Sequence, residues 1–336
     1  MKEISICGIA VGAGERIYHS IPVTTMANGS EMCVPLHIVN GKKPGKKLML
    51  TAVSHGDAIT GLEVIRQVLE NVDVDYLSGT IIAVPCQNPV AFEWDKRNTP
   101  IDGANMNRVY PGNPNGWFSD QMAAAISPLC HDADVLIDWH GGGYGSAINY
   151  MLLRLGSHEG GDNTEKLGLA YGLEYLYGGK PAGPEAAYAG SLSDYMITLG
   201  KPALVAEIGS GMKLEFDMVE NSVRGVFNVM KYLGMLPGQP ILPKTQWIIK
   251  ERPLLRPNRG GMFYPECGAE YLNKIVPKGT LIATIRSPLT FEVVEEIYAP
   301  CEETVFLDMR GTMAKVHPGD YAYILGNRAN AQRIDN

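Results

Sequence analysis

Two histidines, a glutamate and an arginine-bearing loop are the residues of this chain whose types and settings could do chemistry together. His55 lies in Ser54-His55-Gly56-Asp57-Ala58, directly after the apolar run at residues 47–53 (KLMLTAV). His140 lies in Asp138-Trp139-His140-Gly141-Gly142-Gly143, at the end of a second apolar run. Glu207 ends a third, residues 202–208 (PALVAEI), and residues 97–112 (RNTPIDGANMNRVYPG) form a polar loop carrying Arg97 and Arg108. A catalytic zinc uses three protein ligands and an open position for water, with neutral imidazole a favoured donor. The ion lowers the pKa of its water to about 7, and a nearby carboxylate can take that proton and pass it to a leaving amine. Guanidinium groups grip a carboxylate or a developing oxyanion. This set of groups suits a metal hydrolase.

For the groups to meet, their runs must be neighbouring strands. Residues 47–53, 79–85, 134–139 and 202–208 are short apolar runs. Between them helical spacing appears at 60–72, with Leu62, Ile65, Leu69 and Val72 on one stripe and Thr60 as N-cap, and again at 120–129, 164–176 and 191–199. Strands that are apolar throughout, alternating with helices, predict an α/β sheet covered on both faces. Ligands bind such sheets at the carboxyl ends of the strands, where both histidines and Glu207 fall. A last amphipathic helix at 222–236 closes a domain over 1–236, whose first 44 residues are strand-rich and have no assigned place. Residues 237–243 (PGQPILP) read as a linker to a small all-β domain at 244–336. There VPKGT (276–280) and VHPGD (316–320) resemble two copies of one turn-then-strand unit.

Composition narrows the classes. The chain has 336 residues, is 45% hydrophobic and carries Lys+Arg 29 against Asp+Glu 36, a net charge of -7. A sizeable core can be buried, and a mildly acidic chain argues against nucleic acid or an anionic membrane as partner. No run approaches the ~18 apolar residues of a membrane span, and the first 14 residues lack the apolar stretch of a signal peptide. A cytoplasmic protein is expected, with its six cysteines reduced and in the core. Gly12-Ala13-Gly14 lacks the third glycine of a dinucleotide loop because Ile17 stands there, and GKKPGKK (41–47) has the wrong spacing for a phosphate loop. No serine sits in G-x-S-x-G. His158-Glu159 is not followed by x-x-His and reads as a surface loop.

Taken in order, the segments resemble the succinylglutamate desuccinylase/aspartoacylase branch of the zinc carboxypeptidases. The shared pattern is H-G-(D/N)-E, N-P, R-x-T-P-x-D-G-x-(D/N)-L-N-R-x-(F/Y)-P-G, D-x-H and a late E-x-G. This chain supplies His55-Gly56-Asp57, Asn88-Pro89, Arg97 through Gly112, Asp138-Trp139-His140 and Glu207-Ile208-Gly209. The resemblance covers residues 45–235 and implies a zinc-carboxypeptidase-like mixed sheet flanked by helices, followed by a β-rich C-terminal domain. It further implies that His55 and His140 hold Zn2+, that Glu207 is general base and then acid, that Asn107 and Arg108 bind the substrate's carboxylate, and that Arg97 polarises the scissile carbonyl. Asp138 either orients a ligand histidine or is a strand-end turn residue. The glycines at 141–145 (GGGYG) permit close backbone approach to a ligand.

One position departs from the pattern. The expected third metal ligand, a glutamate three residues after the first histidine, is Ala58, and a methyl group cannot coordinate metal. Three explanations stand: an engineered removal of the glutamate, a natural branch in which Asp57 or extra water completes the shell, or a non-hydrolytic descendant that keeps the pocket for binding. The expected activity is a metal-dependent deacylase acting on a small N-acylated amino acid. A carboxypeptidase-like peptidase and a ligand-binding pseudoenzyme are the alternatives. The β-rich tail either caps the pocket against large substrates or forms a contact in a homo-oligomer.

Overall fold

The computed structural model describes residues 3–143, 145–153, 160–178 and 189–336. Tyr144 of the glycine loop and the His158-Glu159 pair lie outside the described residues. The chain folds as α/β, around a 14-stranded mixed sheet among the described residues. Its continuous path runs Leu254–Leu255, Tyr323–Asn327, Glu303–Arg310, Ser146–Leu153, Ala203–Gly209, Val135–His140, Lys43–Thr51, Ser78–Val84, Glu31–Asn40, Arg16–Thr25. The centre is parallel: Lys43–Thr51 pairs in parallel with both Ser78–Val84 and Val135–His140, and the latter with Ala203–Gly209. The strand-rich N-terminus takes one edge, as a long antiparallel pair against Ser78–Val84.

Side-chain alternation of period two sorts the central strands between two cores. Leu48, Leu50, Val135 and Ile137 point to one face, under helices Thr60–Asn71, Gly160–Tyr171 and Phe216–Tyr232. Met49, Ile82 and Leu136 point to the other, against helices Phe118–Asp132 and Leu192–Thr198. Coverage of both faces is why these strands read as unbroken apolar runs. The second face matters for function. Following it toward the strand ends, Met49 leads to Thr51, Leu136 to Asp138 and His140, and Ala203 to Val205 and Glu207, so polar groups emerge where that core stops.

The C-terminal strands are hydrogen-bonded into the same sheet rather than hung beyond a linker. Glu303–Arg310 pairs with Ser146–Leu153, and Thr245–Ile249 pairs with the short strand Tyr175–Tyr177. A separate 4-stranded sheet of Val293–Tyr298, Leu281–Arg286, Gly261–Pro265 and Ala314–Val316 packs on this end around Phe263, Ile285 and Phe306. The two turn-then-strand units differ in use: after the first turn Leu281–Arg286 joins the small sheet, and after the second Tyr323–Asn327 joins the large one.

Several expectations need correction. Residues 164–176 are not one helix, because Gly160–Tyr171 ends at Gly172, with φ +93, and Tyr175–Tyr177 is a strand. The last helix of the α/β part spans Phe216–Tyr232, six residues earlier at its start than the apolar stripe suggests. Thr60 is the first helical residue and its hydroxyl caps nothing; Ile59 occupies the N-cap. Cys7 is exposed and Cys33 half-buried, so only four of the six cysteines are core residues.

Candidate active site

His55 is delivered by a strained strand end. Val53 takes φ +55, a left-handed conformation that is an outlier for a β-branched residue and costs about 1–3 kcal/mol. The segment after the next strand holds it: Gln87 and Asn88 donate backbone N–H bonds to the carbonyls of Ala52 and Val53. Gly56 follows because a Cβ there would lie 2.0 Å from the Ala91 backbone. His140 needs no loop. It is the last residue of its strand and pairs in register with Glu207 on the neighbouring strand.

The two imidazoles face each other. Their ring centroids are 5.1 Å apart and His55 Nδ1 lies 3.3 Å from His140 Nδ1. The outer nitrogens identify the tautomers. His140 Nε2 is 3.0 Å from Asp138 Oδ2 and 3.3 Å from Asn107 Nδ2; the shorter, charge-assisted bond to the carboxylate, which only accepts, outweighs the amide and assigns the proton to Nε2. His55 Nε2 is 3.0 Å from Asn105 Oδ1, again an acceptor, since the same oxygen takes the Asn107 backbone N–H. Both Nδ1 atoms therefore direct lone pairs into the same gap. That arrangement repels unless a proton or a cation lies between them. Two nitrogens bound at about 2.0–2.1 Å to one tetrahedral zinc stand about 3.3–3.4 Å apart.

Asp138 is fully buried, and its second oxygen accepts from Thr51 Oγ1 at 2.7 Å and Gln87 Nε2 at 2.9 Å. Tyr110 in turn donates to Gln87 Oε1 at 2.6 Å. Asp138 thus orients a histidine through a fixed network, which decides between its two sequence readings. The electrostatics follow. Burial, with the charge of Arg97 added, holds His55 well below the ordinary imidazole range, so it is neutral. Burial also disfavours charge on His140, but the Asp138 carboxylate outweighs it and the net shift is upward. Burial raises the Glu207 carboxyl above its ordinary value despite His140 and Arg97 nearby.

His55, His140, Glu207, Arg97, Asn107 and Arg108 all line one cavity of about 830 Å³. Asn107 is more constrained than a free substrate binder: its Oδ1 accepts the Leu192 N–H at 3.2 Å, and its Nδ2 stands 3.3 Å from His140 Nε2. Arg108 donates to the Asn107 carbonyl at 2.6 Å. Gly141, Gly142 and Gly143 form part of the wall. Ala58 is buried; its methyl lies 3.4 Å from where a Cβ on Gly141 would stand. No group of three or more His, Cys, Asp or Glu side chains converges on one metal position among the described residues. The donors fit two ligands of a divalent ion and stop short of the three of a complete catalytic site.

The model of the succinylglutamate desuccinylase/aspartoacylase catalytic domain matches residues 44–233. The chain belongs to this family. An N-alpha-acetyl-L-2,4-diaminobutyric acid deacetylase of Halomonas elongata is 26% identical over 228 residues, which are 66% of this chain and 64% of that protein. The chain thus matches slightly less than two thirds of that relative's length. A succinylglutamate desuccinylase/aspartoacylase structure from Rhodobacter sphaeroides superposes with a TM-score of 0.81 at 21% identity, covering 94% of this chain and 96% of that one. The product-bound ectoine utilization protein EutE (DoeB) of Ruegeria pomeroyi gives 0.81 at 21% identity, with 93% and 95% covered. At such identities these likenesses establish the fold, C-terminal β region included.

Sequence reasoning missed Asn105 and, although it allowed the β-rich tail to cap the pocket, the individual C-terminal residues that do so. Arg252, Arg256, Asp308, Arg310 and Tyr321 line the same cavity. Asn105 was legible, lying two residues before Asn107 in the same polar loop. The others carried no local signal, because only long-range strand pairing brings them to the site.

Proposed function

We propose that the chain is an amide hydrolase that removes the acyl group from a small N-acylated amino acid. The observation that carries this reading is the approach of the two Nδ1 atoms to 3.3 Å, with Glu207 in register beside His140. His55 and His140 would hold the ion, which when bound acts as a Lewis acid and makes hydroxide available near neutral pH. Glu207, its carboxyl raised by burial, takes the proton of the attacking water and returns it to the leaving nitrogen as the C–N bond breaks. The Arg97 guanidinium, which lines the cavity, stabilises the negative charge developing on the carbonyl oxygen. Asn107 and Arg108 position the substrate's carboxylate. The family match to residues 44–233 and the deacetylase relative support the reaction class. Residues of the C-terminal strands wall the cavity, which favours a small substrate over a peptide.

Ala58 favours a second reading, a binding protein that retains the pocket without turnover. The experiment compares the native chain with Ala58→Glu for zinc content and for release of free amine from N-acetyl and N-succinyl amino acids. The hydrolase reading expects Ala58→Glu to bind zinc at least ~10-fold more tightly and to cleave members of the panel. A zinc-loaded Ala58→Glu that cleaves nothing, while the native chain binds the same compounds, establishes the binding protein instead.

A further inference from the structure

The C-terminal wall of the cavity contains one polar group whose placement the fold has gone out of its way to produce. In the strand Glu303–Arg310, the pairing with Tyr323–Asn327 runs Val305 to Gly326 and Phe306 to Leu325, then skips to Asp308 with Ile324. Leu307 is the extra residue of a β-bulge, and a bulge of one residue moves every later side chain to the opposite face. Without it, Asp308 would share the face of Phe306, inside the apolar cluster beneath the small sheet. With it, Asp308 sits directly opposite Ile148 and Arg310 opposite Ser146, and all four line the cavity. Ile148 also pairs with Gly209 on its other side, while Tyr150, two residues on, pairs with Glu207. Asp308 and Glu207 therefore project from one sheet face, two strand spacings across and two residues along, about 12 Å apart between their backbones.

The neighbouring arginines make hydrogen bonds to other groups, while the charges of Arg310 and Arg252 still favour the Asp308 carboxylate. Arg252 donates to Tyr150 OH at 2.7 Å and lies over the Tyr177 ring at 4.4 Å. Arg256 bonds the Gly319 carbonyl and covers the Tyr321 ring at 4.2 Å. Arg310 donates Nε to the Tyr321 carbonyl at 2.7 Å. Asp308 Oδ1, by contrast, is buried with no hydrogen-bond partner among the described residues. A buried carboxylate oxygen left without a donor is costly, and the carboxyl that carries it belongs to a half-buried residue of the cavity wall.

Building on the deacylase reading, we infer that Asp308 is a specificity-determining residue that accepts a hydrogen bond from an N–H or O–H donor on the side chain of the N-acylated amino acid. The reacting amide lies between His140 and Glu207, and the side arm spans toward Asp308. A donor there completes the buried carboxyl, whereas an alkyl arm leaves it unpaired and a carboxylate arm meets like charge. Sites built around a hydrogen bond discriminate strongly against analogues that lack it.

The test uses calorimetric binding and, where turnover occurs, kcat/KM, on the zinc-loaded full chain with five probes: the Nα-acetyl derivatives of 2,4-diaminobutyrate, 2,3-diaminopropionate, homoserine, norvaline and glutamate. At pH above the value of about 7 to which burial raises the Asp308 carboxyl, the native chain prefers a donor-bearing probe over norvaline by at least ~10-fold, the worth of a hydrogen bond to a charged group. Ammonium and hydroxyl probes distinguish a charged from a neutral donor. Asp308→Asn removes most of that preference while leaving the norvaline probe within ~3-fold, and Asp308→Glu shifts the preferred arm to one methylene shorter, 2,3-diaminopropionate, which a merely structural residue would not do. Binding of the panel without preference for a donor, or a preference that survives Asp308→Asn in folded protein, overturns the assignment and leaves the deacylase reading intact. If no probe binds or is cleaved even by Ala58→Glu, the deacylase reading falls and this inference with it.

Discussion

Replacing Asp138 by Asn tests the tautomer argument on which the metal reading stands. Asn preserves shape, and its side-chain oxygen can keep the bonds from Thr51 and Gln87. Its NH2 then replaces the oxygen that accepts from His140 Nε2 at 3.0 Å. With the carboxylate gone, Nε2 meets two amide donors, this one and the Asn107 Nδ2 at 3.3 Å, which drives His140 to move its proton to Nδ1 and accept at Nε2. The lost bond is charge-assisted and buried, worth about 1.5–3 kcal/mol, or roughly 10–150-fold in the tautomer ratio. His140 then has no lone pair toward His55, and zinc affinity should fall by about the 10–100-fold seen when a partner of a ligand histidine is removed. The assay has two readouts: 15N shifts of the His140 ring in metal-free protein, and zinc Kd by competition with a chromophoric chelator. A His140 that keeps its Nε2 proton in Asp138→Asn, or a zinc Kd within ~3-fold of native, refutes the reasoning.

Further outcomes follow from the same geometry. Glu207→Gln should lower kcat about 10²–10⁴-fold, the usual range for a general base; because burial raises the native carboxyl above 4.5, the acid limb of the native pH profile should lie above that value, and a limb at or below it contradicts the role. Arg97→Ala should reduce kcat by about 10²–10³-fold with a smaller change in KM, and a change in KM alone would reassign Arg97 to substrate binding. Burial first, then the charge of Glu207, raises the Asp308 carboxyl from 3.8 to about 7. The folded state therefore binds the extra proton, and stability is present below 3.8 and lost as pH rises to about 7. Asp308→Asn lacks that loss, so its Tm relative to native should rise between pH 4 and pH 8, and a difference independent of pH contradicts the assignment.

The sequence made the central sheet legible because strands covered on both faces are apolar without interruption, and the chemistry falls where those runs end. His55, His140 and Glu207 were readable for that reason, and Arg97, Asn107 and Arg108 through the ordered family pattern. What stayed hidden depends on pairing over long distances. The bulge at Leu307 leaves no mark in the local sequence, yet it alone turns Asp308 into the cavity. Tyr175–Tyr177 was absorbed into a helical period because a strand of three residues is too short to show its own. Thr60 looked like a cap because its residue type is right, but the backbone N–H of Ile59 is already turned toward Gly211 and the helix starts one residue earlier in its geometry. The return of Glu303–Arg310 to the central sheet was not visible either, because nothing in its local pattern names a partner strand so far back in the chain.

The claim most open to direct contradiction is that one divalent ion is shared by His55 Nδ1 and His140 Nδ1. Crystals of the native chain soaked in zinc, with diffraction recorded on both sides of the zinc absorption edge, locate the ion without reference to activity. The account predicts an anomalous peak about 2.0–2.1 Å from each Nδ1, on the cavity side facing Glu207. A chain that takes up zinc only elsewhere, with the two imidazoles still 3.3 Å apart and sharing a proton, would contradict it.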